Sequence, residues 1–486
     1  MARTEYEDFD LIIEKQDDAY VASVAWRGTE ASAPFRLPWP DANALLEDIT
    51  QMGGTRARSR SAKTTTAADV AKDVGQRLFS AVFTGDVKER YSNAYAVARN
   101  QRQGLRIRLR TEADRRLLDI PWEYLYDATR SEFLAVAGRV QIVRYPVAPA
   151  TVEQTPFAVP LRILVAISEA APPNTEPLQV EEEWARLKGV ALGDARREGL
   201  VALHRVPGNL YDITKALDET NYHVFHYIGH SDFDDRLGDG VLILEGPNGG
   251  VVTRSANDVA QMLAPHDSLK LAVFNSCEGA RSTAQDPFAG VALSVVQKGI
   301  PAVIGMQFEI TDGVAIKFAE ELYTSLAKGQ PVDIAMISAR RAIFSATPDI
   351  EWGTPVLFLR SEDGQIFAPQ DTEPQGREQR MATARDYELG LQALAAGDWS
   401  AAIQHLTGVT DADPDYGDAQ ARLAEAHEQA RDAEVRDVDD GRAEADGGGH
   451  DEDHKEESDA RTIVNIVVGL LALALIVYLA IRLLTS

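Results

Sequence analysis

Cysteine is almost missing from this chain: Cys277 is the only one in 486 residues. A single thiol excludes an internal disulfide framework and suits a reducing compartment. Basic charge is also scarce. With 49 Lys and Arg against 75 Asp and Glu, the net charge is −26, which argues against a nucleic-acid partner because phosphate binding depends on basic patches. The opening MARTEYEDFD has neither the basic start nor the apolar core of a secretory signal, so the large N-terminal part is expected in the cytoplasm. The glycines between 238 and 250 lack the Lys-Ser/Thr ending of a phosphate loop, and no serine sits in a G-x-S-x-G elbow. His226 and His230 stand four apart, as in a helical zinc pair, but in a strand-like run with no intervening Glu. No metal and no cofactor are expected.

What is present is a regular alternation. Short apolar runs at 161–168, 200–206, 223–229, 241–245, 269–275, 302–306 and 355–360 read as strands. Helical spacing fills 180–192, 210–219, 255–263, 288–298, 312–327 and 332–345 between them. Such alternation implies a mostly parallel sheet covered by helices, an α/β fold. Ahead of it, residues 1–149 read as an α+β domain, with strands at 9–13, 20–26, 105–109 and 140–145 and helices at 67–83 and 87–102. Residues 148–160 form a proline-bearing linker.

Two of the strand-like runs end in residues of chemical interest. The run at 269–275 delivers Cys277 to its carboxyl end, and the run at 223–229 delivers His230 and Ser231 to its own. In open α/β sheets chemistry gathers at such ends. A thiol becomes a nucleophile when a base is within hydrogen-bond reach, and adjacent parallel strands can provide that contact across a separation of 47 residues. Backbone N–H groups at Ser231 and Cys277 are the natural oxyanion donors. The alternative is that Cys277 is a small buried hydrophobe without chemistry. His226, on the same strand face as His230, reads as a satisfied neighbour and not as a catalyst.

Five blocks in order carry a family resemblance: VFHYIGHSDFDD at 224–235, LAVFNSCEGA at 271–280, GIPAVIGMQFEITD at 299–312, FAEELYTSLAKG at 318–329 and EWGTPVLFLRSEDG at 351–364. Over 161–367 the chain resembles a CHAT domain, of the clan of caspase- and separase-type cysteine peptidases. The resemblance implies a caspase-like fold with His230 as general base and Cys277 as nucleophile. Many relatives have Gly directly after the histidine where this chain has Ser231. Metacaspase-like enzymes, which prefer basic residues at the cleaved bond, carry Asp two places before the cysteine, and here that residue is Asn275. Candidate substrate-pocket residues are therefore Asn275, Asp232, Glu278 and Glu309.

After a linker at 368–380, residues 383–430 resemble a tetratricopeptide-like helical segment, with Gly390, Ala402, Leu406 and Pro414 on the pattern, and offer a surface for a protein partner. Residues 432–460 are acidic and poor in apolar side chains, and read as a disordered tether. The run at 463–481 has Asn465 as its one strongly polar residue, so a transmembrane helix over 462–484 is expected as a single-pass C-terminal anchor. Taken together, the sequence reads as a membrane-tethered cysteine endopeptidase with a protein substrate. The alternative is a non-catalytic scaffold for protein–protein interaction at the membrane.

Overall fold

The computed structural model describes residues 6–52, 66–111, 114–146, 155–157, 159–171, 180–234, 236–246, 249–275, 287–308, 310–347, 349–369, 374–414 and 416–446. The strands of the main sheet are β1 (Tyr6–Gln16), β2 (Ala19–Trp26), β3 (Thr29–Phe35), β4 (Gly104–Arg110), β5 (Val140–Arg144), β6 (Leu161–Ile167), β7 (Val201–Pro207), β8 (Val224–Ile228), β12 (Leu271–Asn275), β13 (Ala302–Met306) and β14 (Pro355–Leu359). Between β8 and β12, the strands β9 (Ser231–Asp234), β10 (Asp239–Glu245) and β11 (Val251–Ser255) form a separate antiparallel sheet. Helices α1 (Ala42–Met52), α2 (Ala67–Val82), α3 (Gly85–Asn100), α4 (Val180–Ala185), α5 (Leu210–Glu219), α6 (Ala256–Leu263), α7 (Pro287–Gln297), α8 (Asp312–Ala327) and α9 (Val332–Ala346) complete the α/β body.

The main sheet has the order β7-β6-β8-β12-β13-β14-β5-β4-β1-β2-β3. Strands β7, β6, β8, β12 and β13 are mutually parallel. β14 is antiparallel to β13 and parallel to β5, and β5, β4 and β1 continue in that direction. The carboxyl ends of β8, β12 and β13 therefore share one edge with the starts of β14, β5 and β4. β8, β12, β13 and β14 are buried throughout, which is why they appear in sequence as unbroken apolar runs and not as alternating ones. One face packs Val224, Ile228, Val273 and Ile304 against α8 and α9, and the other packs Phe225, Tyr227, Phe274 and Val303 with α5, α6 and α7 residues. Capping boxes, Thr66 with Asp69 and Ser255 with Asp258, start α2 and α6.

The boundary expected at 148–160 does not divide this sheet. Strands from residues 6–35, 104–110 and 140–144 extend it, and buried charges stitch the two parts together: Asp333 accepts from Arg106 Nη1 at 2.9 Å and from Gln141 Nε2 at 2.7 Å. A strand at 29–35 and a helix at 42–52 were not among the expected elements. The linker expected at 368–380 is helical from residue 374, where Pro374 opens α10 (Pro374–Ala396). Proline suits a first helical turn, whose N–H groups have no intrahelical acceptor.

α10 and α11 (Trp399–Ala412) form the helical hairpin, which leans on the edge strand β7. Ala202 of β7 is buried among Ala384, Tyr387, Leu406, Val409 and Tyr416. A Cβ on Gly390 would stand 2.7 Å from Leu406 Cγ, so the close approach of the two helices requires glycine there. α12 (Ala419–Asp446) enters the tract expected to be a disordered tether, and its Ala, Glu and Arg content, all strong helix formers, accounts for that. Among the described residues no helix is long and apolar enough to cross a membrane. The span expected at 463–481 lies outside them.

Candidate active site

β8 and β12 are neighbours, with Ile228 opposite Asn275. One residue on, Gly229 N donates to Asn275 O at 3.3 Å. Gly229 is required by its surroundings, because a Cβ would fall 2.1 Å from Tyr227 Oη. His230 follows and is buried. Its carbonyl accepts from Ile243 N at 3.1 Å and lies 3.1 Å from Tyr227 Oη, which also lies 2.6 Å from Ile243 O. The carbonyl of His230 is thus held both by β10 of the second sheet and by Tyr227 of β8.

Ser231 opens β9, an edge strand, opposite Leu242. Since His230 O takes the ladder bond from Ile243 N, Ser231 occupies a non-bonded position of the antiparallel pair, and its N–H points away from β10. Asp232 is exposed, and its Oδ1 accepts from Phe233 N at 2.8 Å. Asp234 Oδ1 accepts from Arg236 N and Leu237 N and closes the hairpin turn. Cys277, Glu278 and Glu309 lie outside the described residues.

Asn275 is buried at the end of β12 and lines a cavity of about 30 Å³ with His226, Val273, Met306, Phe318 and Tyr323, room for a water molecule or two. Asn275 Oδ1 and His226 Nε2 have no hydrogen-bond partner among the described residues. Neither Asp232 nor Asp234 reaches this cavity. At its rim Glu183 is held by Arg186 Nη1 at 3.1 Å. Among the described residues lining the cavity, the charged ones are Glu183 and Arg186, and they pair with each other.

His226 has a different part from His230. Its Nδ1 meets Tyr323 Oη at 2.8 Å deep between β8 and α8, and desolvation pulls its pKa down from 6.5 to about 4. His223, whose Nδ1 accepts from Arg162 N at 3.0 Å, is pulled to about 3 by burial and by the Arg162 charge. Below pH 6.5 the unfolded chain protonates these imidazoles while the folded chain refuses the proton. Stability is therefore fully present above pH 6.5 and falls as the pH drops towards 4. Urea unfolding at neutral and mildly acid pH should show this loss, and His226→Phe should lose less over the same interval.

The sequence reading missed a buried network behind β13. Glu123, in the IPWEYLYD stretch, takes a two-point contact from Arg144, Nη2 to Oε2 at 2.9 Å and Nε to Oε1 at 3.2 Å. Arg144 also donates to Leu118 O and Ile120 O. Gln307, the first residue after β13, donates through Nε2 to Glu123 Oε2 at 3.1 Å and to Gly353 O at 2.7 Å. A few residues on, Thr311 Oγ1 donates to Glu351 Oε2 at 2.8 Å. Gln307, which leaves β13 beside Asn275, and Thr311 are therefore each pinned by a side chain. An acid among aromatics at 122–126 was the one available signal.

A family model described as the CHAT domain matches residues 72–385, and one described as a tetratricopeptide repeat matches 393–434. No curated protein matches. Two solved structures of the Saccharomyces cerevisiae separase–securin complex align at 12% and 11% identity with TM-scores of 0.41 and 0.40. Each alignment covers 73% of this chain and 30% of the other, so the chain spans under a third of the length of those solved chains. The CHAT match takes in well over half of the residues and both strands that flank the site, and the chain belongs to the CHAT-domain family.

Proposed function

We propose that the chain is a cysteine endopeptidase in which His230 activates Cys277. The observation that carries this reading is the pairing of β8 with β12, in which Gly229 N meets Asn275 O. His230 is two residues beyond Ile228, and Cys277 is two residues beyond Asn275. Two residues span at most about 7 Å of chain, and paired strands lie roughly 4.8 Å apart, so the chain lengths beyond this pairing allow the imidazole and the thiol to meet.

The chemistry follows from those two groups. His230 removes the thiol proton, and the thiolate sulfur adds to the scissile carbonyl carbon. The N–H of Ser231, turned away from its ladder, and that of Cys277 hold the developing oxyanion. The imidazolium then protonates the departing amine, and water, deprotonated by the same imidazole, releases the acyl group as a carboxylic acid. Asn275 is uncharged, and Glu183 at the rim of the cavity behind it is already paired with Arg186, so a neutral side chain is the one favoured at the cleaved bond. The tetratricopeptide-like hairpin would hold the protein partner that carries it.

The test is the pH dependence of alkylation at Cys277, compared with the His230→Ala variant. Because Cys277 is the sole thiol, every labelled molecule reports this site. Labelling that persists well below the free-cysteine pKa of about 8.5 and collapses without the histidine is the expected result. A thiol of ordinary reactivity, indifferent to His230, would remove the basis for the peptidase and leave a binding scaffold.

A further inference from the structure

On the catalytic edge of the sheet, away from β8 and β12, lies a recess of about 620 Å³. Four arginines line it: Arg99 and Arg102 at the end of α3, Arg139 just before β5, and Arg341 on α9, together with Gln103 and Gly138. No carboxylate is among the lining residues. All four arginines are exposed, and among the described residues none of them forms an ion pair. Their neighbours behave differently. Arg106 and Arg108 on β4 are bound to Asp8, Asp10 and Asp333, and Arg130 is bound to Asp127.

In a chain with 75 acidic residues against 49 basic ones, a cluster of four guanidiniums facing one space without a counter-charge repels itself at a cost in stability. Each guanidinium is a planar fork that matches a carboxylate or phosphate through two hydrogen bonds. Gly138, with φ of +75°, keeps the floor free of a side chain. The volume is within the ~300–1,000 Å³ of ligand-binding pockets.

The direction of the strands decides what sort of ligand fits. β4 and β5 begin at this recess, and because β14 runs against β13, their starts share an edge with the ends of β8 and β12. β5 is three strands from β12 in the sheet, about 14 Å at the usual spacing. An extended chain covers that distance in four or five residues, at ~3.3 Å each. We propose that this recess binds an acidic peptide segment of a protein partner. That the partner is the substrate, with the acidic segment a few residues from the cleaved bond, rests on the peptidase reading. The binding itself does not.

The experiment uses the full chain carrying Cys277→Ala, which cannot hydrolyse its ligand, so a failure of the peptidase reading does not touch the result. Fluorescence anisotropy of a labelled hexaglutamate peptide is followed at about 50 and 150 mM salt. Binding should weaken as salt rises, and should weaken roughly tenfold or more in the Arg139→Ser/Arg341→Ser double variant. Both arginines are exposed and outside the buried networks, and circular dichroism checks that the fold persists. Absence of salt-sensitive binding, or binding that ignores the double variant, overturns the proposal. Inorganic tripolyphosphate binding where hexaglutamate does not would also overturn it, and would assign the recess to a phosphate ligand.

Discussion

Replacing His230 by alanine should lower kcat/KM for peptide hydrolysis by roughly a hundred- to ten-thousand-fold, the range that a positioned acid–base group contributes. The loss should fall mainly on kcat, because His230 would act on the thiol proton and on the departing amine and not on the bound substrate. The natural comparison is His226→Phe. The two histidines are four residues apart, and both are buried. Yet His226 is locked to Tyr323 under α8 with its pKa pulled to about 4, so it cannot take a proton from a thiol near neutral pH. His226→Phe should leave kcat within about tenfold while reducing the sensitivity of folding to acid. The assay uses peptides bearing Leu, Gln or Lys at the cleaved bond, since the proposed preference for a neutral residue rests on Asn275. Equal loss in both variants would mean that the strand supplies packing alone, and full activity in His230→Ala would remove it from catalysis.

How much of this could be read from the chain depends on the range of the interaction. β8, β12, β13 and β14 are short apolar runs because they are buried on both faces, and that signal is local. The placing of His230 at a strand end is local too. What stayed hidden is set by contacts between distant residues. β1 pairs with β4 across about a hundred positions, and Arg106 reaches Asp333 across 227; nothing within 1–149 announces that its strands complete the sheet of the segment that follows. β3, TEASAPF, is largely exposed at the far edge of the sheet and carries little apolar signal. The start of α10 reads as a linker in sequence because Pro, Gln and Glu suit both a loop and a first helical turn. Of the expected pocket residues, Asn275 lines a cavity and Asp232 does not, a distinction made by the twist of β9 out of the main sheet into its own.

The same long-range logic predicts the largest effect on stability. Glu123 and Arg144 are nearly inaccessible, with side-chain exposures of 1% and 2%. Removing one member of such a pair leaves the other charged and buried, at a cost of about 3–5 kcal/mol. Glu123→Leu should therefore lower the urea midpoint sharply, while Glu123→Leu combined with Arg144→Met should recover much of the loss, because apolar groups of similar volume need no counter-charge. The recovery should not extend to activity. Gln307 Nε2 loses its Glu123 acceptor in both variants and keeps Gly353 O, beside the backbone bond from Gln307 N to Thr354 O, so the residue that leaves β13 beside Asn275 is held by one bond fewer even where the fold is restored. A double variant with recovered stability and reduced kcat/KM would identify Glu123 as a positioning residue for the site. Recovery of both together would mean that the pair acts on stability alone and that the remaining bonds of Gln307 and Thr311 suffice to position the end of β13.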